Sequence, residues 1–214
     1  MKKIFVIAAL FASVMAANAQ QFGLKGGLTL STLGGVDNPK ENKDVLLFEA
    51  GVVYKADLGA GFAIQPALGY QMKGAKYVQN NTQNTVESKT DFVELSVGAQ
   101  WGPDLLAFRP YVFVEPFIGY AVKGNEKLTN RAGTSVDRIN AVLPEAKNKL
   151  EFGAGVGIGL EITRYVQLSC QYFNNFGKLY NEDKLNTGDL QGIGASFSKL
   201  KNYQGIKFTL AVLL

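Results

Sequence analysis

Apolar and polar residues alternate with period two over eight stretches of the chain, 22–31, 45–57, 62–73, 91–101, 109–122, 151–163, 165–173 and 203–214. Successive side chains of a strand point to opposite faces, so each stretch predicts a strand with one apolar and one polar face. The cleanest is 151–163. Phe152, Ala154, Val156, Ile158, Leu160 and Ile162 share one face there, and Glu151, Gly153, Gly155, Gly157, Gly159 and Glu161 share the other. Likewise Val93, Leu95, Val97, Ala99 and Trp101 oppose Glu94, Ser96, Gly98 and Gln100.

Alternation suits a two-layer sandwich as well as a membrane barrel, and the connections separate the two. Short links near 58–61, 102–108 and 164 alternate strictly with long ones near 32–44, 74–90, 123–150 and 174–202. Short turns at one end and long loops at the other are the plan of an outer-membrane barrel, and a sandwich has no reason to keep it. With the N-terminus periplasmic, Phe22, Tyr54, Phe62 and Trp101 fall at the periplasmic ends of the apolar face. Phe48, Tyr70, Tyr120, Phe152 and Tyr172 fall towards the outer ends. Two aromatic belts around a Val/Leu/Ile/Ala band are what lipid interfaces favour. The predicted fold is therefore all-β: an eight-stranded antiparallel transmembrane β-barrel in the bacterial outer membrane, with extracellular loops.

The polar face then lines a lumen. Lys25, Lys55, Lys73, Arg109 and Lys207 alternate there with Glu49, Glu94, Glu115, Glu151 and Glu161. An unpaired charge away from water is costly, so these ten predict a paired network that plugs a narrow interior. Pro66, Pro110 and Pro116 lie inside predicted strands, and each should mark a bulge, a strand end or a broken bond. In the 123–150 link, Val136, Ile139, Val142 and Leu143 have helical spacing behind Ser135, a candidate N-cap.

Composition changes the picture at the N-terminus first. Lys2 and Lys3 precede an apolar run from Ile4 to Ala17 that is shorter than the roughly 20 residues a spanning helix needs. Ala17-Asn18-Ala19 follows with small-x-small spacing, which predicts a signal peptide over 1–19, cleavage between Ala19 and Gln20, and one barrel domain over 20–214. Without Lys2 and Lys3 the formal charge is 20 − 18 = +2, which indicates no nucleic-acid partner. Cys170 is the single cysteine and falls on the apolar face, so no internal disulfide forms. The chain has no histidine, the commonest general base and metal ligand. The glycines of 153–159 recur with period two and cannot wrap a phosphate as a glycine-rich loop does. No catalytic residue, cofactor or metal site is expected, and the chain is not expected to be an enzyme.

Three blocks of residues resemble a known family. They are Gly23-Leu24-Lys25-Gly26-Gly27-Leu28; Ile64-Gln65-Pro66-Ala67-Leu68-Gly69-Tyr70 with Lys73-Gly74-Ala75-Lys76; and Phe108-Arg109-Pro110-Tyr111-Val112 through Glu115-Pro116-Phe117-Ile118-Gly119-Tyr120, then Phe152-Gly153-Ala154-Gly155-Val156-Gly157. In this order they are similar to the PorT-type outer-membrane β-barrel family of Bacteroidota. Leu214 stands where many barrels carry an aromatic, and Glu115 where glycine is common before Pro116. The resemblance implies an eight-stranded barrel, a link of some members to type IX secretion, and no catalytic residue to carry over. Expected partners are outer-membrane lipid and lipopolysaccharide, the barrel assembly machinery, and secretion or surface proteins. The expected role is binding or assembly through the outer loops; a small channel for ions or solutes is the alternative.

Overall fold

The computed structural model describes residues 20–34, 42–79, 84–105, 107–129, 135–136, 149–176 and 202–214. Eight long strands form where the alternation lies: β1 (Gln20–Gly34), β3 (Val45–Gly59), β4 (Phe62–Gln79), β5 (Asn84–Trp101), β6 (Phe108–Thr129), β8 (Leu150–Ile162), β9 (Val166–Asn175) and β10 (Asn202–Leu213). Two strands of two residues, β2 (Asn42–Lys43) and β7 (Ser135–Val136), flank β4 and β6.

Every long strand pairs antiparallel with two neighbours, and the β4–β5 ladder closes the sheet. The paired residues Gln20, Ala56, Ile64, Ala99, Val114, Val156, Tyr172 and Ile206 lead once round the molecule and back to β1 at Leu30, a displacement of 30 − 20 = 10 residues. Eight strands closed with that stagger must tilt by roughly 35–45° from the axis. Closure leaves no free edge in the wall, so the strands pair their backbone groups with one another rather than with water, apart from the rungs skipped at Pro66 and Pro116.

Three connections gather at one end, the turn end. Ala60 and Gly61 join β3 to β4 at φ 52° and 80°, and Thr163 and Arg164 join β8 to β9 at φ 51° and 63°. Positive φ at both central residues marks the hairpin turn whose twist matches the flanking strands. The link from β5 to β6 is tied by Gly102 N–H to Gly61 O at 3.0 Å and by reciprocal Leu105 and Phe108 bonds.

At the opposite, loop end the strands run further than alternation predicts. The sequence reading makes 74–90 a long loop, whereas its described residues, 74–79 and 84–90, are strand, paired from Lys73↔Thr90 to Gln79↔Asn84. β6 likewise continues through Thr129. These extensions lie past the apolar band, where no face has to be greasy and period two in hydropathy fades. Ser135 is not a helix N-cap: it and Val136 form β7, paired with Thr129 and Leu128 of β6, while Ile139, Val142 and Leu143 lie outside the described residues.

The prolines are accommodated without bulges. Pro66 pairs with Val97 on one side, and on the other the β3–β4 ladder skips from Val53↔Ala67 to Ala56↔Ile64 in unchanged register. At Pro116 the β5–β6 ladder skips from Ser96↔Phe117 to Ala99↔Val114, and Pro110 lies past the end of that ladder at Trp101↔Val112. Each missing N–H therefore falls on a broken rung or beyond the last one.

Apolar residues face outward all round. Leu24, Val52, Leu68, Val114, Val156, Ile158 and Leu210 are about half exposed. Glu49, Lys55, Lys73, Glu94, Arg109 and Glu161 are buried. A water-soluble protein reverses this distribution.

Candidate functional site: the charged lumen

The interior is built from the polar face of the eight strands, and the structure gathers all ten sequence-predicted lumen charges there. Near the turn end, Lys55 Nζ lies 2.9 Å from Glu161 and 2.9 Å from Asp57. Arg109 reaches the same Glu161 at 3.4 Å, Gln100 at 3.2 Å and the Gly61 carbonyl at 2.8 Å. Gln167 donates to Glu161 at 2.9 Å. Both oxygens of this carboxylate are thus held, by three donors from β3, β6 and β9.

Near the loop end, Lys73 Nζ lies 2.7 Å from Glu94 and 2.6 Å from Glu151. Asn175 donates to the other oxygen of Glu151. Lys207 stands 3.7 Å from Glu94 and 3.4 Å from Glu115. Lys25 lies 3.5 Å from Glu49, which also accepts from the Thr209 hydroxyl. Ion pairs bridge β3 to β8, β4 to β8, and β10 to β5 and β6, so the network holds walls that are not neighbours in the sheet.

Aromatic side chains fill the space between the charges, and these the sequence reading missed. Lys73 Nζ sits 4.0 Å from the centre of the Phe117 ring and 5.3 Å from that of Phe173. A desolvated cation over a ring gains about 2 kcal/mol, which helps offset its burial. Arg109 stacks 5.4 Å from the Tyr111 ring, and Tyr111 lies 5.8 Å from Phe113. Tyr203 is fully buried and bonds Ser88 and Thr90 at 3.1 Å each.

The glycines of β8 make room for these rings. Tyr111 pairs with Gly159, Phe113 with Gly157 and Phe117 with Gly153. A Cβ on those glycines would stand 2.2, 2.6 and 2.4 Å from the respective ring atoms. A signal existed in the sequence, the every-second-glycine run, but its partners emerge only once the β6–β8 register is known.

Between the two charged layers lies a cavity of about 40 Å³, lined by Lys25, Glu49, Gln65, Glu115, Gln171, Lys207 and Thr209 among others. One water needs roughly 10–15 Å³ on this measure, so it has room for a few waters. Among the described residues no carboxylate pair is poised for acid–base work, because Glu151 and Glu161 belong to separate layers and each is held by a cation. Cys170 lies on the outer wall between Ile158 and Phe208, with no base beside it. Among the described residues, no group of three or more His, Cys, Asp or Glu could hold a metal ion.

The outer wall carries the aromatic residues in pairs. Phe22 meets Tyr54 at 4.8 Å and Phe62 meets Trp101 at 6.4 Å towards the turn end. Phe48 meets Tyr70 at 6.3 Å and Phe152 meets Phe176 at 6.4 Å towards the loop end. Tyr120 and Tyr172 are exposed on the same wall. Phe108, Tyr165 and Phe176, outside the sequence-predicted belts, are exposed there too. Ala19 lies outside the described residues, and Gln20 opens β1.

The family model described as outer membrane protein beta-barrel domain matches residues 13–181. No curated protein matches the chain. Among solved structures, the attachment invasion locus protein Ail of Yersinia pestis is similar at TM-score 0.41 and 11% identity, over 90% of this chain and 97% of that one. Neisserial surface protein A is similar at 0.41 and 11%, over 91% and 97%. The E. coli outer membrane protein W is similar at 0.37 and 16%, over 92% and 98%.

Proposed function

For a chain that belongs to the outer membrane protein beta-barrel domain family, and so lies in the outer membrane, we propose a non-catalytic binding or assembly role, exercised at the loop end turned outward from the cell. The observation that carries this reading is the filled interior. Five cations and five carboxylates neutralise one another between buried rings, so among the described residues the interior offers solutes no wide aqueous path and no unpaired acid or base. A rigid barrel of this kind is a support, and recognition falls to the segments that connect its strands.

Two measurements test it. Purified protein in planar bilayers should give no steady single-channel openings. Reproducible openings would instead favour a small channel for ions or solutes, the reading that the polar cavity between Lys25, Glu115 and Lys207 supports. In intact cells, an added protease should cut the loop end and spare the turn end; the reverse pattern would overturn the orientation.

The finer resemblance to PorT-type barrels of Bacteroidota extends the same proposal to a partner within type IX secretion or on the cell surface. Crosslinking in cells followed by purification should recover such a component, and recovery of none removes this version. The barrel assembly machinery is the partner expected during insertion.

A further inference from the structure

One row of wall residues, Tyr54, Pro66, Val97 and Pro116, crosses β3, β4, β5 and β6, and its ladder is broken twice. Pro66 keeps its pair with Val97 and Pro116 its pair with Ala154, while the rungs Tyr54–Pro66 and Val97–Pro116 are missing. Proline has no N–H to give, so each break withholds a donor from the carbonyl opposite, at Tyr54 and at Val97. Bond direction agrees on β6. Ala121 N–H donates towards β8 at 2.7 Å, so odd-numbered residues of β6 bond β8 and even-numbered ones, Pro116 among them, face β5.

Val97 stands midway in the apolar band. Along β5 it is 101 − 97 = 4 residues from Trp101 in the turn-end belt. It is 97 − 93 = 4 residues from Val93, whose partners Tyr70 and Tyr120 belong to the loop-end belt. Either way that is roughly 13 Å along the strand. Hydrocarbon offers no donor at this depth, and a buried carbonyl without one is costly, so the donor has to come from the lumen.

The lumen-facing residues beside the break are Gly98 and Glu115, and both line the central cavity of about 40 Å³. A Cβ added at Gly27, Gly51, Gly69, Gly153 or Gly157 would strike an atom within 2.7 Å, so packing requires those glycines. At Gly98 it would meet nothing nearer than 3.5 Å. The missing side chain there leaves room against the wall instead of clearance for a ring. Glu115 looks into that room. Its bonds from Gln171 and Lys207 both fall on Oε1, whereas Oε2 lies 3.8 Å from where the Gly98 Cβ would stand. Deeper in the same cavity, buried Glu49 Oε2 has no hydrogen-bond donor among the described residues, although the Lys25 ammonium is 3.5 Å away.

We propose that a bound water stands in for the missing rung, giving one hydrogen to the Val97 carbonyl and the other to Glu115 Oε2 across Gly98. Two acceptors on either side of an open space call for a ligand with two hydrogens to donate, and the cavity has room for a few waters. The second of them serves Glu49 Oε2. This site is independent of which way the loop end points and of what the loops bind.

The test is a crystal structure of the whole chain from a lipid mesophase, at a resolution that shows water. A water is expected about 3 Å from both Val97 O and Glu115 Oε2. In micelles, NMR should show persistent water cross-peaks to the Gly98 α-protons and none to those of Gly153, over which Phe117 packs. Gly98→Val, whose side chain fills the room, should abolish the cross-peaks. Pro116→Ala restores the N–H, which should close the rung to Val97, become protected from exchange and draw the water off that carbonyl. The second variant and the unmodified chain decide the matter even if the first fails to fold. A dry space over Gly98, the Gln65 amide donating to the Val97 carbonyl, or a metal cation in the water's place would each overturn the site. So would cross-peaks at position 98 that survive Gly98→Val, or an N–H at position 116 that exchanges freely in Pro116→Ala.

Discussion

Lys73 shows what a single buried cation does in this interior. It is wholly inaccessible and answers two carboxylates from different strands. Replacing such an arrangement by apolar groups is often neutral, whereas removing one member strands the others. Lys73→Ala should therefore lower stability by about 3–5 kcal/mol in urea unfolding from lipid vesicles. Lys73→Met combined with Glu94→Gln and Glu151→Gln should recover most of that loss. The glycines of β8 give a second contrast. At Gly155 an added Cβ meets the mobile amide end of Gln171, while at Gly153 it meets the Asn174 carbonyl oxygen and the Phe117 ring. Gly155→Ala should fold almost normally, and Gly153→Ala should show less of the compact, heat-sensitive form on gels. The lumen charges were legible because each sits at an alternate position facing away from Val and Leu. Phe117 and Phe173 were not, since an aromatic residue on the polar face has no period-two signature of its own.

At the level of the element, the β8–β9 turn departs from what its geometry asks. Positive φ at two adjacent positions favours Asn and Gly, yet Thr163 and Arg164 occupy them, and Thr is β-branched. Thr163→Asn with Arg164→Gly should stabilise the barrel by about 1 kcal/mol, read from the urea midpoint at unchanged slope. The existence of each long strand could be read from 151–163 and its like, because lipid on one side and lumen on the other impose alternation. Their loop ends could not. Residues 74–79 and 84–90 pair with one another, with β2 and with β6 outside the apolar band, so backbone pairing holds them where hydropathy is silent. The extra residue Val122 on β6, where Phe92 pairs with Ala121 but Asp91 with Lys123, was equally hidden, since an inserted residue becomes visible only against the partner strand.

For the molecule as a whole, the outward apolar band sets the solvent. Val156 lies near the middle of that band and is exposed, so Val156→Arg should cost about 2–4 kcal/mol in vesicle unfolding. A similar change at exposed Leu105, in the link at the turn end, should cost under 1 kcal/mol. Closure was legible from the strict parity of short and long links; the ten-residue stagger was not, because it depends on pairing between strands far apart in sequence. The balanced sum of the lumen has one more implication. Five positive and five negative groups, with half-exposed Asp57 as one further carboxylate at the turn end, leave an interior with almost no preference of sign, so it would neither draw cations in strongly nor turn anions away. Any discrimination among molecules that approach this protein must then be made before they reach the mouth, by what rises above it.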